Sequence, residues 1–156
     1  MGKHSRKFTT RKASPKDAAA WERMRCALWP KPGAIHREDI RKFFKGLSHE
    51  PLEVFFAVDC KSDLIGFIEL SIRPYADGCT SDRVAYIEGW YTAPKMRGLG
   101  VGAALVRKAE QWAVSNKCLE LASDTEIANT TAAKAHKGVG FSETGRIVCF
   151  KKVLGG

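Results

Sequence analysis

The sequence predicts one mixed α/β domain in which a central sheet carries helices on both faces. Its 156 residues suffice for a single domain with a substantial hydrophobic core. Two β-branched and aromatic segments, at 53–59 and 64–73, flank a polar turn and predict an antiparallel hairpin. A later strand, a glycine-rich loop, a helix and a further strand predict a parallel crossover. The sheet is therefore expected to contain both antiparallel and parallel neighbours.

The first fifty residues are expected to form one strand and two helices. Residues 7–12 (KFTTRK) predict a short strand. Ser14 followed by proline predicts a helix start, because serine caps a helix and proline suits its first position. Proline and glycine at 30–33 end this helix. A second helix is predicted over about residues 37–47, with these side chains directed inward: Ile40, Phe43, Phe44 and Leu47.

The remainder of the chain is expected to alternate strands with helices. After the hairpin, the predicted elements are a strand at 84–93, a helix at 99–115, a strand at 119–124, a helix at 129–139 and a strand at 145–153. The complete order is β-α-α-β-β-β-α-β-α-β. One domain spanning residues 1–156 accounts for this order, with residues 1–6 as a loose lead-in.

The composition excludes several classes of protein. No apolar run approaches the roughly 20 residues that cross a bilayer, so no membrane partner is expected. Five scattered cysteines without C-x-x-C spacing indicate reduced thiols in a cytoplasmic protein, and no metal site is predicted. The net charge of +9 suits an anionic partner. We expect no nucleic-acid partner, since the sequence lacks the basic and aromatic interleaving of single-strand binders, although net charge alone leaves the partner open between cofactor phosphates and nucleic acid.

A glycine-rich loop, RGLGVG at 97–102, lies between a predicted strand and a predicted helix. The first N–H groups of a helix lack internal partners, and glycine lets phosphate oxygens approach them closely. The loop therefore indicates a pyrophosphate site, although the glycines could simply tighten a turn. A Walker loop is absent. A dinucleotide motif fits loosely, with Gly98, Gly100, Ala103 and then Glu120, but too little chain follows to complete that fold.

The loop is also R-x-x-G-x-G, which resembles the acyl-CoA motif of the GNAT N-acetyltransferases. Asn129, His136 and Gly140-Phe141 resemble the downstream N-x6-Y-x3-G-F pattern of that family, with histidine in place of tyrosine. The predicted strand order also agrees with the family along nearly the whole chain. The resemblance implies a single acetyltransferase domain that uses acetyl-CoA.

Four further segments resemble the aminoglycoside 6′-N-acetyltransferases within this family. These segments are WERMRCALWP at 21–30, SIR at 71–73 with Gly78-Cys79, IEG at 87–89 and ASDT at 122–125. The resemblance implies that acetyl-CoA acetylates the 6′-amino group of an aminoglycoside antibiotic and that the enzyme confers resistance. It also implies a homodimer.

The resemblance places the cofactor along a strand that bulges and splays from its parallel neighbour. The oxyanion donor would be the N–H of Trp90 or Tyr91, while their side chains could be ordinary core aromatics. The implied cofactor contacts are Trp90, Tyr91, Thr92, Arg97, Gly98, Leu99, Gly100, Val101, Gly102, Ala103, Asn129 and His136.

Two carboxylates, Glu88 and Asp124, are expected to face the opening between these strands. Either one could accept a proton from the amine, directly or through water, and both could anchor a polycationic substrate. Alternatively, both are solvated carboxylates at strand ends. His136 stands where many relatives have a tyrosine general acid, and it could donate a proton to the thiolate. The expected walls of the substrate site are Trp29 and Tyr75, although Trp29 could simply be buried. Asp77 and Asp82 could add negative charge at its rim.

Two other functions remain open from the sequence. An enzyme of the same family could acetylate polyamines, a protein N-terminus or lysine, with an identical cofactor site and different substrate loops. A protein without catalysis could bind acyl-CoA or nucleic acid through its basic surface. Glu88 and Asp124 favour an enzyme, and the segments at 21–30 and 71–79 favour the antibiotic.

Overall fold

A computed structural model describes residues 7–155, so the predicted lead-in at 1–6 lies outside the described residues. The strands are β1 (Phe8–Lys12), β2 (Glu53–Asp59), β3 (Leu64–Arg73), β4 (Val84–Thr92) and β5 (Glu120–Ala122). The helices are α1 (Ala18–Leu28), α2 (Gly33–Phe44), α3 (Val101–Ser115) and α4 (Thr130–Gly138).

The five strands form one sheet in the order β1-β2-β3-β4-β5. The first three pairings are antiparallel, and β4 pairs with β5 in parallel through the crossover helix α3. The predicted mixed sheet, with its hairpin and its crossover, is therefore confirmed. Strands β1 and β5 are the two edges of this sheet.

Helices cover both faces because the strand side chains alternate between two apolar clusters. On one face, Leu105 and its neighbours in α3 pack against Ile68 and Leu70 of β3. On the other, Trp21 of α1 packs against Phe67 and the side chains of α2. The three layers hold β3 and β4 rigidly at the centre of the molecule.

Two sequence predictions are wrong at the level of individual elements. Helix α2 begins at Gly33 and ends at Phe44, so Leu47 lies beyond it and is 64% exposed rather than directed inward. No strand forms at 145–153, where the backbone pairs with none of residues 7–155. The pattern there is that of a strand, but β structure also requires a partner edge, and the last segment of the chain that pairs in the sheet is β5, which ends at Ala122.

Residues 7–155 contain no candidate membrane-spanning helix and no candidate metal cluster. None of the helices in this range is long and apolar enough to cross a membrane. This part of the chain also contains no group of three or more histidine, cysteine or acidic residues that could hold a metal ion.

Candidate active site

The sheet opens between β4 and β5, because these strands pair for only three residues. Their pairing ends at Tyr86 opposite Ala122, whereas β4 continues to Thr92 without a neighbour on that side among residues 7–155. A bulge lies at the start of the unpaired part: Ile87 is opposite Leu70 and Gly89 is opposite Glu69, which leaves Glu88 as the extra residue. The splayed, bulged strand expected from the sequence is therefore present.

The glycine-rich loop lies at one side of this opening and leads directly into α3. Gly98 and Gly100 have φ values of 78° and 87°, a left-handed conformation that favours glycine. Both glycines lie in open space, so the backbone is accessible to a ligand. Arg97 donates from Nε to the carbonyl oxygen of Thr92 at 3.0 Å, which fixes the loop against the end of β4. The first N–H groups of α3, which have no partners within the helix, therefore follow an open glycine loop beside a positive side chain, an arrangement that fits a phosphate.

Trp90 and Tyr91 have side chains on opposite faces of the sheet. The Trp90 ring packs over Gly102 of α3 and meets the His136 ring edge to face at 5.1 Å. The Tyr91 ring stacks on Phe67 on the α1 side. Backbone N–H groups of successive residues in a strand also point in opposite directions within the sheet. The N–H of Ala93 donates to β3 at 2.8 Å, so the N–H of Tyr91, two residues earlier, points to β3 as well. The N–H of Trp90 consequently turns towards the opening.

His136 lies on α4 with both ring nitrogens in hydrogen bonds. Its Nδ1 lies 2.7 Å from the carbonyl oxygen of Ala132, which can only accept, so Nδ1 carries the proton. Its Nε2 then accepts from the Ser123 hydroxyl at 2.8 Å. Asn129 caps this helix by accepting from the N–H of Ala132 at 3.0 Å. In the neutral ring, therefore, the single N–H of His136 bonds within its own helix.

Glu88 is held by neighbours on β3. Arg73 donates to its two carboxylate oxygens at 3.0 and 2.8 Å, and the Ser71 hydroxyl donates a further hydrogen bond. The hydrogen bond to Glu88 raises the pKa of Arg73 above its ordinary value. The Arg73 guanidinium also lies 3.7 Å from the centre of the Tyr86 ring. The carboxylate of Glu88 is thus already neutralised by an adjacent cation.

Asp124 follows β5 and is exposed at the opposite side of the opening. Its carboxylate accepts a hydrogen bond from the hydroxyl of Tyr86. Burial of Tyr86, followed by this hydrogen bond, raises the pKa of the phenol above its ordinary value, so Tyr86 stays a neutral donor. Tyr86 therefore connects the two carboxylates, since Arg73 contacts its ring and Asp124 contacts its hydroxyl. Asp124 itself has no cation beside it among residues 7–155.

Trp29 covers the bulge from the α1 side. A Cβ added to Gly89 would lie 2.5 Å from the Trp29 ring, so the indole rests directly on the glycine backbone. The ring is held between Arg25, whose guanidinium lies 5.1 Å from its centre, and the buried His36. His36 Nε2 also lies 3.2 Å from the carbonyl oxygen of Trp29. Trp29 is half-buried, which leaves part of its surface open to a ligand.

Tyr75 and Asp77 lie on the exposed loop after β3. The Tyr75 hydroxyl donates to Asp77 at 3.0 Å, and this bond raises the pKa of Tyr75. Four exposed acids near this loop and the end of β5 form no ion pair with any of residues 7–155: Asp77, Asp82, Asp124 and Glu126. These four rim acids carry negative charge that no ion pair offsets within residues 7–155, on a chain whose net charge is +9.

The structure thus brings the sequence-predicted residues together in two groups. The glycine loop, Trp90 and His136 lie on the α3 face, while Trp29 and Glu88 lie on the α1 face. Sequence reasoning assigned no role to Arg73, Tyr86 or His36. The SIR segment at 71–73 signalled the first of these, because Ser71 and Arg73 both contact Glu88.

Comparison with known proteins relates this geometry to one family. Residues 18–141 match the Acetyltransferase (GNAT) family. The aminoglycoside N(6′)-acetyltransferase type 1 of Klebsiella aerogenes is 45% identical over 139 residues, which are 88% of this chain and 91% of that protein. The enzyme of the same description from Stenotrophomonas maltophilia is 37% identical over 147 residues, or 94% of each chain.

Solved structures give the same result. The aminoglycoside 6′-N-acetyltransferase AAC(6′)-Ih from Acinetobacter baumannii superposes with a TM-score of 0.87 at 32% identity, covering 95% of this chain and 99% of that one. A structure of AAC(6′)-Iy in complex with the bisubstrate analogue CoA-S-monomethyl-acetylneamine has a TM-score of 0.86 at 32% identity and covers 94% and 99% of the two chains.

Proposed function

This chain belongs to the acetyltransferase (GNAT) family, and we propose that it transfers the acetyl group of acetyl-CoA to the 6′-amino group of aminoglycoside antibiotics, conferring resistance. One observation carries the proposal. The opening between β4 and β5 joins a glycine loop suited to phosphate on one side to an acidic, tryptophan-walled surface on the other. An anionic cofactor and a polycationic acceptor can therefore meet at the bulge.

The cofactor contacts follow from the shape of this opening. We assign the pyrophosphate to the N–H groups at the start of α3 and to Arg97, which supplies a full positive charge. The acyl arm extends along the unpaired backbone of β4 at Trp90, Tyr91 and Thr92. Gly98, Leu99, Gly100, Val101, Gly102 and Ala103 form the loop and first turn of α3, and Asn129 and His136 flank the site from α4.

The acceptor amine must lose a proton before or during its attack on the thioester carbonyl. We assign proton acceptance to Asp124, because Glu88 already accepts three hydrogen bonds and faces Arg73. As the nitrogen–carbon bond forms, the carbonyl oxygen gains negative charge, and the N–H of Trp90 donates to it. The carbon–sulfur bond then breaks, and the thiolate takes up a proton.

The proton source for the thiolate is restricted by the hydrogen bonds of His136. The neutral ring holds its single proton against Ala132, so His136 can donate towards the thiolate only as an imidazolium. Its contact with the Trp90 ring gives it a second role in holding the strand that carries the oxyanion donor.

The antibiotic would lie on the α1 face of the opening. We assign Trp29 and Tyr75 to its walls, where aromatic rings stack on sugar rings and attract ammonium groups. Asp77 and Asp124 would anchor the amines, whereas the carboxylate of Glu88 is already paired with Arg73. The exposed acids of the rim supply the local negative charge that a polycation requires on this basic chain.

We further propose that the enzyme acts in the cytoplasm as a homodimer. All five cysteines are free thiols, which is typical of a reducing compartment. The apolar side chains exposed near the C-terminus support association with another chain.

Thiol release from acetyl-CoA by the purified protein tests the proposed reaction. Tobramycin, a 6′-hydroxyl aminoglycoside, spermidine and a lysine peptide should be assayed in parallel. We expect release with tobramycin and not with the 6′-hydroxyl drug. Release only with spermidine or the peptide would contradict the antibiotic as substrate, and absence of release with every amine would contradict the acetyltransferase itself.

A further inference from the structure

Ser123 and His136 form a hydrogen-bonded pair at the opening, and the amine transfer proposed above does not use the serine. The Ser123 hydroxyl lies 2.8 Å from Nε2 of His136. Nδ1 of the same ring lies 2.7 Å from the carbonyl oxygen of Ala132, which fixes the ring proton on Nδ1 and leaves Nε2 as an acceptor. A hydroxyl bonded to an imidazole whose second nitrogen donates to a fixed acceptor is the arrangement that activates serine as a nucleophile.

The imidazole of His136 is held in place by its neighbours. Its ring meets the Trp90 ring edge to face at 5.1 Å and the Phe141 ring edge to face at 5.4 Å. Its backbone carbonyl oxygen also accepts from the N–H of Phe141 at 3.1 Å. Because aromatic rings and a hydrogen bond to its own helix restrict the imidazole, Nε2 stays directed at Ser123, as a general base requires.

The position of Ser123 in β5 determines the face on which it lies. Pairing with β4 ends at Tyr86 opposite Ala122, so Ser123 is the first residue on its side of the opening. Leu121 packs against the α3 cluster, whereas Ala122 packs with Tyr86 on the opposite face. Since side chains alternate along a strand, Ser123 shares the α3 face with Leu121, and Asp124 shares the other face with Ala122.

The α3 face is also the face of the cofactor. The acyl arm assigned above extends along the unpaired part of β4, where the N–H of Trp90 turns towards the opening. The side chain of Trp90 contacts the ring of His136, so the oxyanion donor and the base belong to adjoining residues. A nucleophile, its base and an oxyanion donor therefore meet at one side of the opening, and these are the parts that acyl transfer to serine requires.

We propose that Ser123 accepts the acetyl group when no amine is bound, so that the enzyme also hydrolyses acetyl-CoA through an acetyl-serine ester. This inference rests on the acetyl-CoA site of the proposed function and adds a second reaction there. Ser123 Oγ attacks the thioester carbon, and the hydroxyl proton passes to Nε2 of His136. The oxygen–carbon bond forms, the carbon–sulfur bond breaks, and the imidazolium returns the proton to the thiolate, which leaves as CoA.

Water completes the reaction at the same pair. A water molecule attacks the ester carbon and gives a proton to Nε2 of His136, which passes it to the Ser123 oxygen as the ester bond breaks. Acetic acid is released and the free hydroxyl is restored. A bound amine attacks the thioester from the side of Asp124 and competes with Ser123 for the same carbon. In an assay of the amine transfer, this hydrolysis is the baseline measured without an amine.

Hydrolysis of acetyl-CoA by the full chain in a buffer without amines gives the first test. Chromatography measures acetate and CoA directly, so the five free cysteines do not react with a thiol reagent. We expect release above the rate without protein, and Ser123→Ala should lower it at least about 100-fold. Ser115→Ala is the matched control, because that hydroxyl donates to the carbonyl oxygen of Gln111 on α3, and its rate should equal that of the native chain.

Mass spectrometry locates the acetyl group on the chain. The reaction is stopped with acid during the first turnover, and the peptides are mapped. We expect one acetyl group on Ser123. Ser123→Cys keeps a nucleophile of similar size at the same position and should also become acetylated there, so the test does not depend on the folding of Ser123→Ala alone.

The outcomes separate this inference from the proposed function. Equal hydrolysis by the native chain and Ser123→Ala, or acetyl groups confined to cysteine and lysine, would overturn the ester. The absence of an acetyl group at position 123 in both the native chain and Ser123→Cys would overturn it as well. A chain that acetylates tobramycin but releases no acetate without an amine would overturn this inference alone.

Two results would instead bear on the acetyltransferase. Hydrolysis through Ser123 in a chain that acetylates no aminoglycoside would support this inference and contradict the antibiotic as substrate. Failure of the native chain to bind acetyl-CoA in calorimetry would overturn both reactions, because both use the same cofactor site.

Discussion

Gly89→Ala would place a methyl group where the ring of Trp29 now lies. The added Cβ would stand 2.5 Å and 2.9 Å from two carbons of that ring and 3.3 Å from Phe67. The ring has little room to retreat, because Arg25 and His36 hold it on either side. Overpacking of this kind costs about 1–3 kcal/mol of folding free energy. In a chain of this size each kcal/mol lowers Tm by about 2–4 °C.

The same substitution separates the two faces of the opening. Displacement of Trp29 should raise the KM for the aminoglycoside about 10-fold, equivalent to about 1.4 kcal/mol, and leave the Kd for acetyl-CoA unchanged. Gly102→Ala is the matched comparison on the α3 face, where the added Cβ would lie 3.1 Å from the Trp90 ring. It should change the KM for acetyl-CoA and retain Tm, because alanine favours a helix by about 1 kcal/mol.

Steady-state kinetics, calorimetry of acetyl-CoA binding and thermal unfolding measure these effects. A Gly89→Ala protein with unchanged Tm and unchanged KM for the aminoglycoside would refute the packing of Trp29 on the bulge. If each variant changed the KM values for the aminoglycoside and for acetyl-CoA equally, the division of the opening into a cofactor face and an antibiotic face would be refuted.

Three further predictions concern the carboxylates, the glycine loop and pH. Asp124→Asn should lower kcat about 100-fold or more, because it removes the proton acceptor, and Glu88→Gln should lower kcat less. If kcat at saturating acetyl-CoA fell more in Glu88→Gln than in Asp124→Asn, the assignment would be contradicted. Gly100→Ala should cost about 1–2 kcal/mol of stability and weaken acetyl-CoA binding, because φ at Gly100 is 87°, which alanine adopts only with strain. Gly138→Ala on α4 is the control, and unfolding and binding experiments should show neither loss for it. Burial raises the pKa of the Glu69 carboxyl to about 7 from 4.5, so the folded chain keeps a proton that the unfolded chain releases. The free energy of unfolding should therefore fall as pH rises from about 4.5 to about 7, and Glu69→Gln should lack this decrease. Urea unfolding at several pH values measures the decrease, and an equal decrease in the native chain and in Glu69→Gln would refute the prediction.

Local patterns in the sequence predicted most of the fold. The hairpin at 53–73 and the crossover helix after the glycine loop depend on periodicity and on turn residues within short windows, and both are present. The failure at 145–153 has a different origin. Strand propensity is local, but the partner edge is a property of the assembled sheet, and a single chain leaves this segment unpaired.

The sequence indicated the site less completely than the fold. The resemblance to the GNAT acetyltransferases implied that Glu88, Asp124 and the glycine loop lie near one another, and the structure brings them to the same opening. The sequence did not predict that Arg73 and Ser71 donate hydrogen bonds to Glu88, nor that the hydroxyl of Tyr86 donates to Asp124. These contacts join β3, β4 and the end of β5, and their partners are up to 38 residues apart.

By itself, the sequence determined most of the order of elements, the position of the glycine loop and the identity of the acidic groups, because each depends on residue type and near neighbours. Only the tertiary structure decided which groups are free to act. Strand pairing stops at Tyr86 and thereby exposes the backbone of β4. The bulge turns Glu88 towards Arg73, so that of these two carboxylates Asp124 is the one that forms no ion pair within residues 7–155. Charge neutralisation and backbone exposure arise from contacts between distant segments, and no local pattern encodes them.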